Sequence, residues 1–204
     1  MATLALRCRC GQVRGELVDG DPSRACHVVC YCDDCRAFNR WLGGDGLLDE
    51  AGGSEIVQTT PANVRITSGA EHLAAMRLTD RGMVRWYAGC CRTPIGNLMP
   101  WRRPPFVGLS AHFVDVSPLE RDTALGPLLG QVQTAFATGP VPSRPGTSLF
   151  RTIRRSAWLV GRSIWTGAAT PSPFRTPDGA DGVAAARVLS TGERDALRAL
   201  DGPR

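Results

Sequence analysis

Along the chain, apolar positions come in short runs broken by Pro, Gly and Asp, the pattern of turn-linked strands rather than of long helices. Residues 3–18 read as two short strands pinched at Cys8-Arg9-Cys10-Gly11, with 12–18 roughly alternating. Gly11 suits the left-handed position that a metal-binding turn commonly needs after its last thiolate. Asp19-Gly20-Asp21-Pro22 is a turn. His27 to Tyr31 is β-like and leads into a short helix over 35–42, with Asp33 as its cap and Gly43-Gly44 as its stop. Beyond Ser54 the spacing predicts a meander of strands at 56–59, 64–67, 72–78, 84–88, 95–99 and 106–110. The expected fold class is therefore mainly β and antiparallel.

The pattern changes near Pro118. Residues 125–137 and 148–165 read as helices, separated by a Pro- and Gly-rich linker at 139–146, and 191–200 reads as a terminal helix. This divides the chain into a β-domain, 1–117, and a helical, Arg-rich extension, 118–204. On a helical wheel Leu149, Ile153, Ala157, Val160 and Ile164 share one face of the 148–165 segment. Arg151, Arg154, Arg155 and Arg162 share the other with Trp158 and Trp165, and Arg154 and Arg162 flank Trp158 for cation–π packing. The plain expectation is a helix that lays its apolar face on the β-domain and leaves its arginines in water. The sharper one is a surface for anionic lipid or a partner.

Composition qualifies the charge. All 24 basic residues are arginine and none is lysine, the signature of a GC-rich genome, which weakens a reading of the arginines as a nucleic-acid footprint and makes nucleic acid the less expected partner. No 18-residue apolar run exists, so no transmembrane helix is expected. The first residues are too soon interrupted for a secretory signal, which makes the cytoplasm the expected compartment.

The chemistry lies in the cysteines. Cys30-Tyr31-Cys32-Asp33-Asp34-Cys35 packs three thiols into six residues, and Cys8, Cys10, Cys90 and Cys91 bring the clustered total to seven of eight. In a reducing compartment such spacing reads as metal ligation rather than disulfides, and thiolates favour zinc. Cys30 and Cys32 share a face and Cys35 returns around the turn. Cys26 stands about 13 Å from Cys30 if the segment is extended, too far to share an ion, and His27 reads as a satisfied core histidine. Cys8 and Cys10 need partners, and Cys90-Cys91 is the remaining cluster. Neighbours on a strand point to opposite faces, so one of this pair is expected as a ligand unless the chain turns sharply at Gly89. Two zinc ions with seven thiolates bring about −3, lowering the formal +5 to about +2.

Three blocks in order resemble the glutathione-dependent formaldehyde-activating enzyme family, which includes centromere protein V. They are Cys8-Arg9-Cys10-Gly11-Gln12-Val13-Arg14, Cys30-Tyr31-Cys32-Asp33-Asp34-Cys35-Arg36 and Ala88-Gly89-Cys90-Cys91-Arg92-Thr93, with Asn63 to Gly69 similar to a central strand. The resemblance covers roughly residues 5–115 and implies a β-tent fold holding two zinc ions. It implies a structural site from Cys8, Cys10 and Cys91, with Cys90 or no residue as the fourth. It also implies a second site, Cys30, Cys32 and Cys35, with one position open for a small thiol such as glutathione. The third block departs from the family pattern: Ala88 stands where its first cysteine falls, and Arg92 replaces its glycine.

Two functions follow as expectations. One is a carbon–sulfur lyase acting on a thiol–aldehyde adduct at the three-cysteine zinc, with Arg36 or Arg40 receiving a substrate carboxylate. The other is a non-catalytic, zinc-stabilised module that contacts a protein, membrane surface or nucleic acid through the basic C-terminal helix. No phosphate loop, dinucleotide fingerprint or Ser-His-Asp pattern competes with these.

Overall fold

The computed structural model describes residues 3–21, 25–99, 105–174 and 185–201; Pro22 of the expected turn lies outside them. The architecture is mainly β, and the described residues form eleven strands in two sheets and four α-helices. A three-stranded antiparallel sheet runs β1 (Leu4–Arg7), β2 (Arg14–Leu17), β5 (Val64–Ser68). The larger sheet has the order β10 (Gly130–Val132), β3 (Cys26–Cys30), β4 (Ser54–Thr59), β9 (Val107–Ser110), β8 (Thr93–Leu98), β7 (Val84–Ala88), β6 (Leu73–Arg77), β11 (Arg187–Val188). Its six middle strands are antiparallel, while β10 and β11 join its two edges in parallel. Leu6, Leu17 and Val64 from the small sheet meet Trp86, Ile95 and Leu109 from the large one in a shared apolar core.

The segment 125–137 is not the single helix its pattern predicts. A short helix, α2 (Arg121–Leu125), stops at Gly126, whose φ of 80° leaves the helical region, and Pro127 follows. The chain then pairs with β3, whose five residues are all buried: Leu129 N–H donates to the His27 carbonyl at 2.7 Å and Tyr31 N–H to Val132 at 3.0 Å. Local propensity yields here to an open strand edge that needed a partner.

The helix α3 (Leu149–Trp165) forms where its pattern places it, capped by the Ser148 hydroxyl accepting from Arg151 N–H at 3.3 Å. Its orientation reverses the plain expectation. Its fully buried residues are Thr152 and Ser163, whereas Leu149, Ile153 and Ile164 remain 60%, 58% and 60% exposed. Two properties make this possible. Thr152 and Ser163 donate to the helix's own carbonyls, Ser148 at 2.9 Å and Val160 at 2.7 Å, so burial leaves no hydroxyl hydrogen unmatched. Opposite Thr152 lies Gly130, where a Cβ would sit 2.0 Å from the threonine hydroxyl, so only glycine lets the helix approach β10 this closely.

At the other flank, α1 (Asp33–Trp41) packs against α4 (Thr191–Ala199). The cap of α4 is Ser190, in a reciprocal capping box with Glu193. Among the described residues, no helix is long and apolar enough to cross a membrane.

Candidate metal centres

The first cluster joins two turns. Between β1 and β2 the chain curls so that Gly11 N–H reaches the Cys8 carbonyl at 2.8 Å and Cys8 N–H the Val13 carbonyl at 3.0 Å, with Gly11 at φ 78°. Between β7 and β8, Arg92 N–H closes on the Ala88 carbonyl at 2.7 Å, and Arg92 itself takes a left-handed φ of 59°. That turn brings Cys90 and Cys91 to one side, where strand alternation would have separated them. The sulfurs of Cys8, Cys10, Cys90 and Cys91 all lie within 4.8 Å of one another. Individual separations are 3.5 Å for Cys8–Cys10, 3.4 Å for Cys10–Cys90, and 3.9 Å for both Cys8–Cys90 and Cys90–Cys91. Sulfurs about 2.3 Å from a central ion form a tetrahedron with edges of about 3.8 Å, so these four have the size of a closed thiolate site.

Supporting hydrogen bonds surround the cluster. Val13 N–H points at Cys8 Sγ at 3.3 Å. Thr93 Oγ1 accepts from Arg9 N–H at 3.0 Å and lies 3.1 Å from Cys91 Sγ, which leaves its own hydrogen for the sulfur. Partial burial pushes the Cys91 thiol up, but the Thr93 hydroxyl and the Cys10 and Thr93 backbone N–H groups outweigh it and hold the pKa at about 6. Arg92, on the glycine position of the resembled motif, stacks its guanidinium 4.9 Å from the Trp41 ring centre and donates to the Trp41 carbonyl.

The second cluster sits where β3 ends and α1 begins. Cys32, not Asp33, caps the helix: its sulfur accepts from Cys35 N–H at 3.4 Å. The sulfurs of Cys30, Cys32 and Cys35 lie within 4.8 Å of one another, and among the described residues no fourth Cys, His, Asp or Glu joins them. Cys30 and Cys35 are buried and Cys32 is half-buried. Behind Cys35 stand two groups that sequence reasoning missed: Arg85 Nη1 and Asn97 Nδ2 each approach its sulfur at 3.9 Å, and Arg85 donates to Asn97 Oδ1 at 3.1 Å. They are a cross-strand pair of β7 and β8, both buried. The available signal was an arginine inside the otherwise apolar run Val84-Arg85-Trp86-Tyr87-Ala88. Hydrogen bonds from the Cys30 and Cys32 thiols, with help from the Arg85 charge, hold Cys35 well below the usual thiol range despite its burial.

Arg36 is not free to receive a substrate carboxylate, and Arg40 is drawn to the same internal partner. Each of the five N–H donors of Arg36 has an internal partner. Nε and Nη2 grip Asp201 at 2.7 and 2.6 Å, Nη2 also reaches Asp33 at 2.8 Å, and Nη1 reaches the Tyr31 and Phe136 carbonyls at 3.1 and 3.0 Å. Arg40 donates to the same Asp201. The carboxylate these arginines suggested comes from the chain itself. Cys26 opens β3 outside both clusters, 3.6 Å from the Ser156 hydroxyl. His27 is satisfied by the Gly126 carbonyl at 2.8 Å and Glu55 at 2.7 Å.

Both clusters have the donors and dimensions to hold metal ions. A model of a protein family of unknown function, DUF6151, matches residues 1–185, and the chain belongs to that family. No curated protein matches it. Among solved structures, a crystal structure of a Rhodobacter sphaeroides protein is 20% identical, covering 61% of this chain and 97% of its own, with a TM-score of 0.42.

Proposed function

We propose that this member of an uncharacterised family binds two zinc ions, one structural, and that its second site takes a small thiol such as glutathione. The expected reaction is a carbon–sulfur lyase step on a thiol–aldehyde adduct, as the resemblance to the formaldehyde-activating enzymes implies. One observation carries the reading: a three-sulfur set with no fourth donor among the described residues stands beside a complete four-sulfur set in the same fold. Zinc at Cys30, Cys32 and Cys35 would supply a Lewis acid able to hold an incoming sulfur as thiolate. The chain's own groups favour such an anion. Arg85 places a buried positive charge on the cluster, Asn97 adds a donor at Cys35, and the half-buried Cys32 marks the side from which a ligand can enter.

Metal analysis followed by cobalt substitution tests this. About two ions per chain are expected, and glutathione should shift the cobalt ligand-field bands in wild type but not in Cys32→Ser. Absence of metal, or bands unmoved by millimolar glutathione, would sink the thiol-binding reading. A second reading, a metal-stabilised module acting through its C-terminal helix, is favoured by the outward apolar face of α3.

A further inference from the structure

An amphipathic helix on a globular protein ordinarily turns its apolar stripe inward. In α3, Thr152 packs on Gly130 of β10 and Ser156 lies at Cys26 of β3, Leu159 and Val160 are half-buried, and Leu149, Ile153, Ala157 and Ile164 face out. Phe150 and Trp165 extend that stripe, 74% and 87% exposed. Arginines 151, 154, 155 and 162 follow along the neighbouring flank, with Trp158 among them. Arg154, Arg155 and Trp158 line an open notch of about 280 Å³. From Thr123 to Pro177 the sequence has six arginines and no acidic residue.

We infer that α3 is an interfacial helix that docks the protein on an anionic phospholipid surface. Its outward apolar residues would enter the acyl boundary, its arginines would meet headgroup phosphates, and its tryptophans would sit at the level between. The 17 residues span about 25 Å, enough to lie along a bilayer surface. Charge chooses this occupant over a second copy of the chain. Pairing two α3 faces would bring two acid-free arginine flanks together, whereas a lipid surface supplies the missing negative charge. The inference stands on α3 alone and holds whether or not the thiolate sites carry chemistry.

Flotation of the full metal-loaded chain with vesicles tests it. Binding to 3:1 phosphatidylcholine–phosphatidylglycerol vesicles should be at least tenfold tighter than to pure phosphatidylcholine. It should weaken at least tenfold between 50 and 500 mM salt and barely change from pH 6 to 9, because arginine does not titrate there. Ile153→Asp and Ile164→Asp alter exposed side chains, so metal content and the thermal midpoint should stay as in wild type while binding falls at least tenfold. Trp165→Phe should remove most of the vesicle-induced blue shift of tryptophan emission. Three results would overturn the inference: no partition onto anionic vesicles, undiminished partition of Ile153→Asp, or a micromolar wild-type dimer that Ile153→Asp dissociates. Partition abolished by millimolar inorganic phosphate at matched ionic strength would also overturn it, because free phosphate would then be the ligand.

Discussion

The two cysteine clusters differ in a way opposite to first intuition. The complete set, Cys8, Cys10, Cys90 and Cys91, is the more exposed, with Cys10 and Cys90 open to solvent. The incomplete set, Cys30, Cys32 and Cys35, is the more buried. Charge explains the arrangement. Four thiolates around a dication would leave −2, which water and the nearby Arg9 and Arg92 would tolerate at a surface. Three thiolates would leave −1, which the buried Arg85 would offset. The four-sulfur cluster thus joins two hairpin turns at the surface, and the three-sulfur cluster lies in the interior beside a buried arginine.

Removing ligands should break this contrast most sharply. Cys8→Ser should unfasten the hairpin turns and lower stability by several kcal/mol, since structural thiolate sites contribute on the order of 10 kcal/mol to folding. A thermal midpoint drop above 10 °C or insolubility is expected. Cys32→Ser should give a folded chain with one metal ion fewer and a midpoint within about 5 °C of wild type. Equal losses in the two variants would erase the distinction between fastening and open sites.

Next in size is Arg85→Met, which removes the cation behind Cys35. Metal affinity at the open cluster should fall about 10- to 100-fold in chelator competition while the closed cluster keeps its affinity. Asn97→Ala, which removes only the amide donor, should lie between this variant and wild type.

Asp201→Ala tests the clamp on α1. Leaving Arg36 and Arg40 without their shared carboxylate should cost about 1–3 kcal/mol in denaturant unfolding, less than breaking a wholly isolated pair because Asp33 remains. Occupancy of the closed cluster should not change. The smallest effect belongs to Arg92→Gly. Glycine relieves the left-handed strain by about 1 kcal/mol but forfeits the Trp41 stacking, so the net stability change should stay within about 1 kcal/mol.

The sequence reveals what is local. Three thiols in six residues mark a metal cluster wherever the chain goes, and Pro and Gly turns mark the strands of the meander. It hides what depends on distant partners. Strand alternation argued for one ligand from Cys90 and Cys91; a turn closed on the Ala88 carbonyl presents both. The α3 periodicity established two faces but not which one faces in. That depended on hydroxyls satisfied by the helix's own carbonyls and on a glycine in β10. Residues 125–137 leave the helical path at Gly126 and form β10 because β3 offered an unpaired edge. Arg36 looked available for substrate because its partner, Asp201, lies 165 residues away. Arg85 carried only the faint signal of a charge in an apolar strand.

The Arg36–Asp201 clamp also sets a timetable. During synthesis the three thiols of the open cluster are the early arrivals, complete at residue 35, yet their surroundings come late: Arg85 and Asn97, then β10, and finally Asp201. The closed cluster has all four ligands by residue 91. At about 5–20 residues per second, the 165 residues between Arg36 and Asp201 take about ten to thirty seconds. The cluster whose ligands emerge first is therefore the last to be finished, and its thiols pass that interval without the helix and strands that later enclose them.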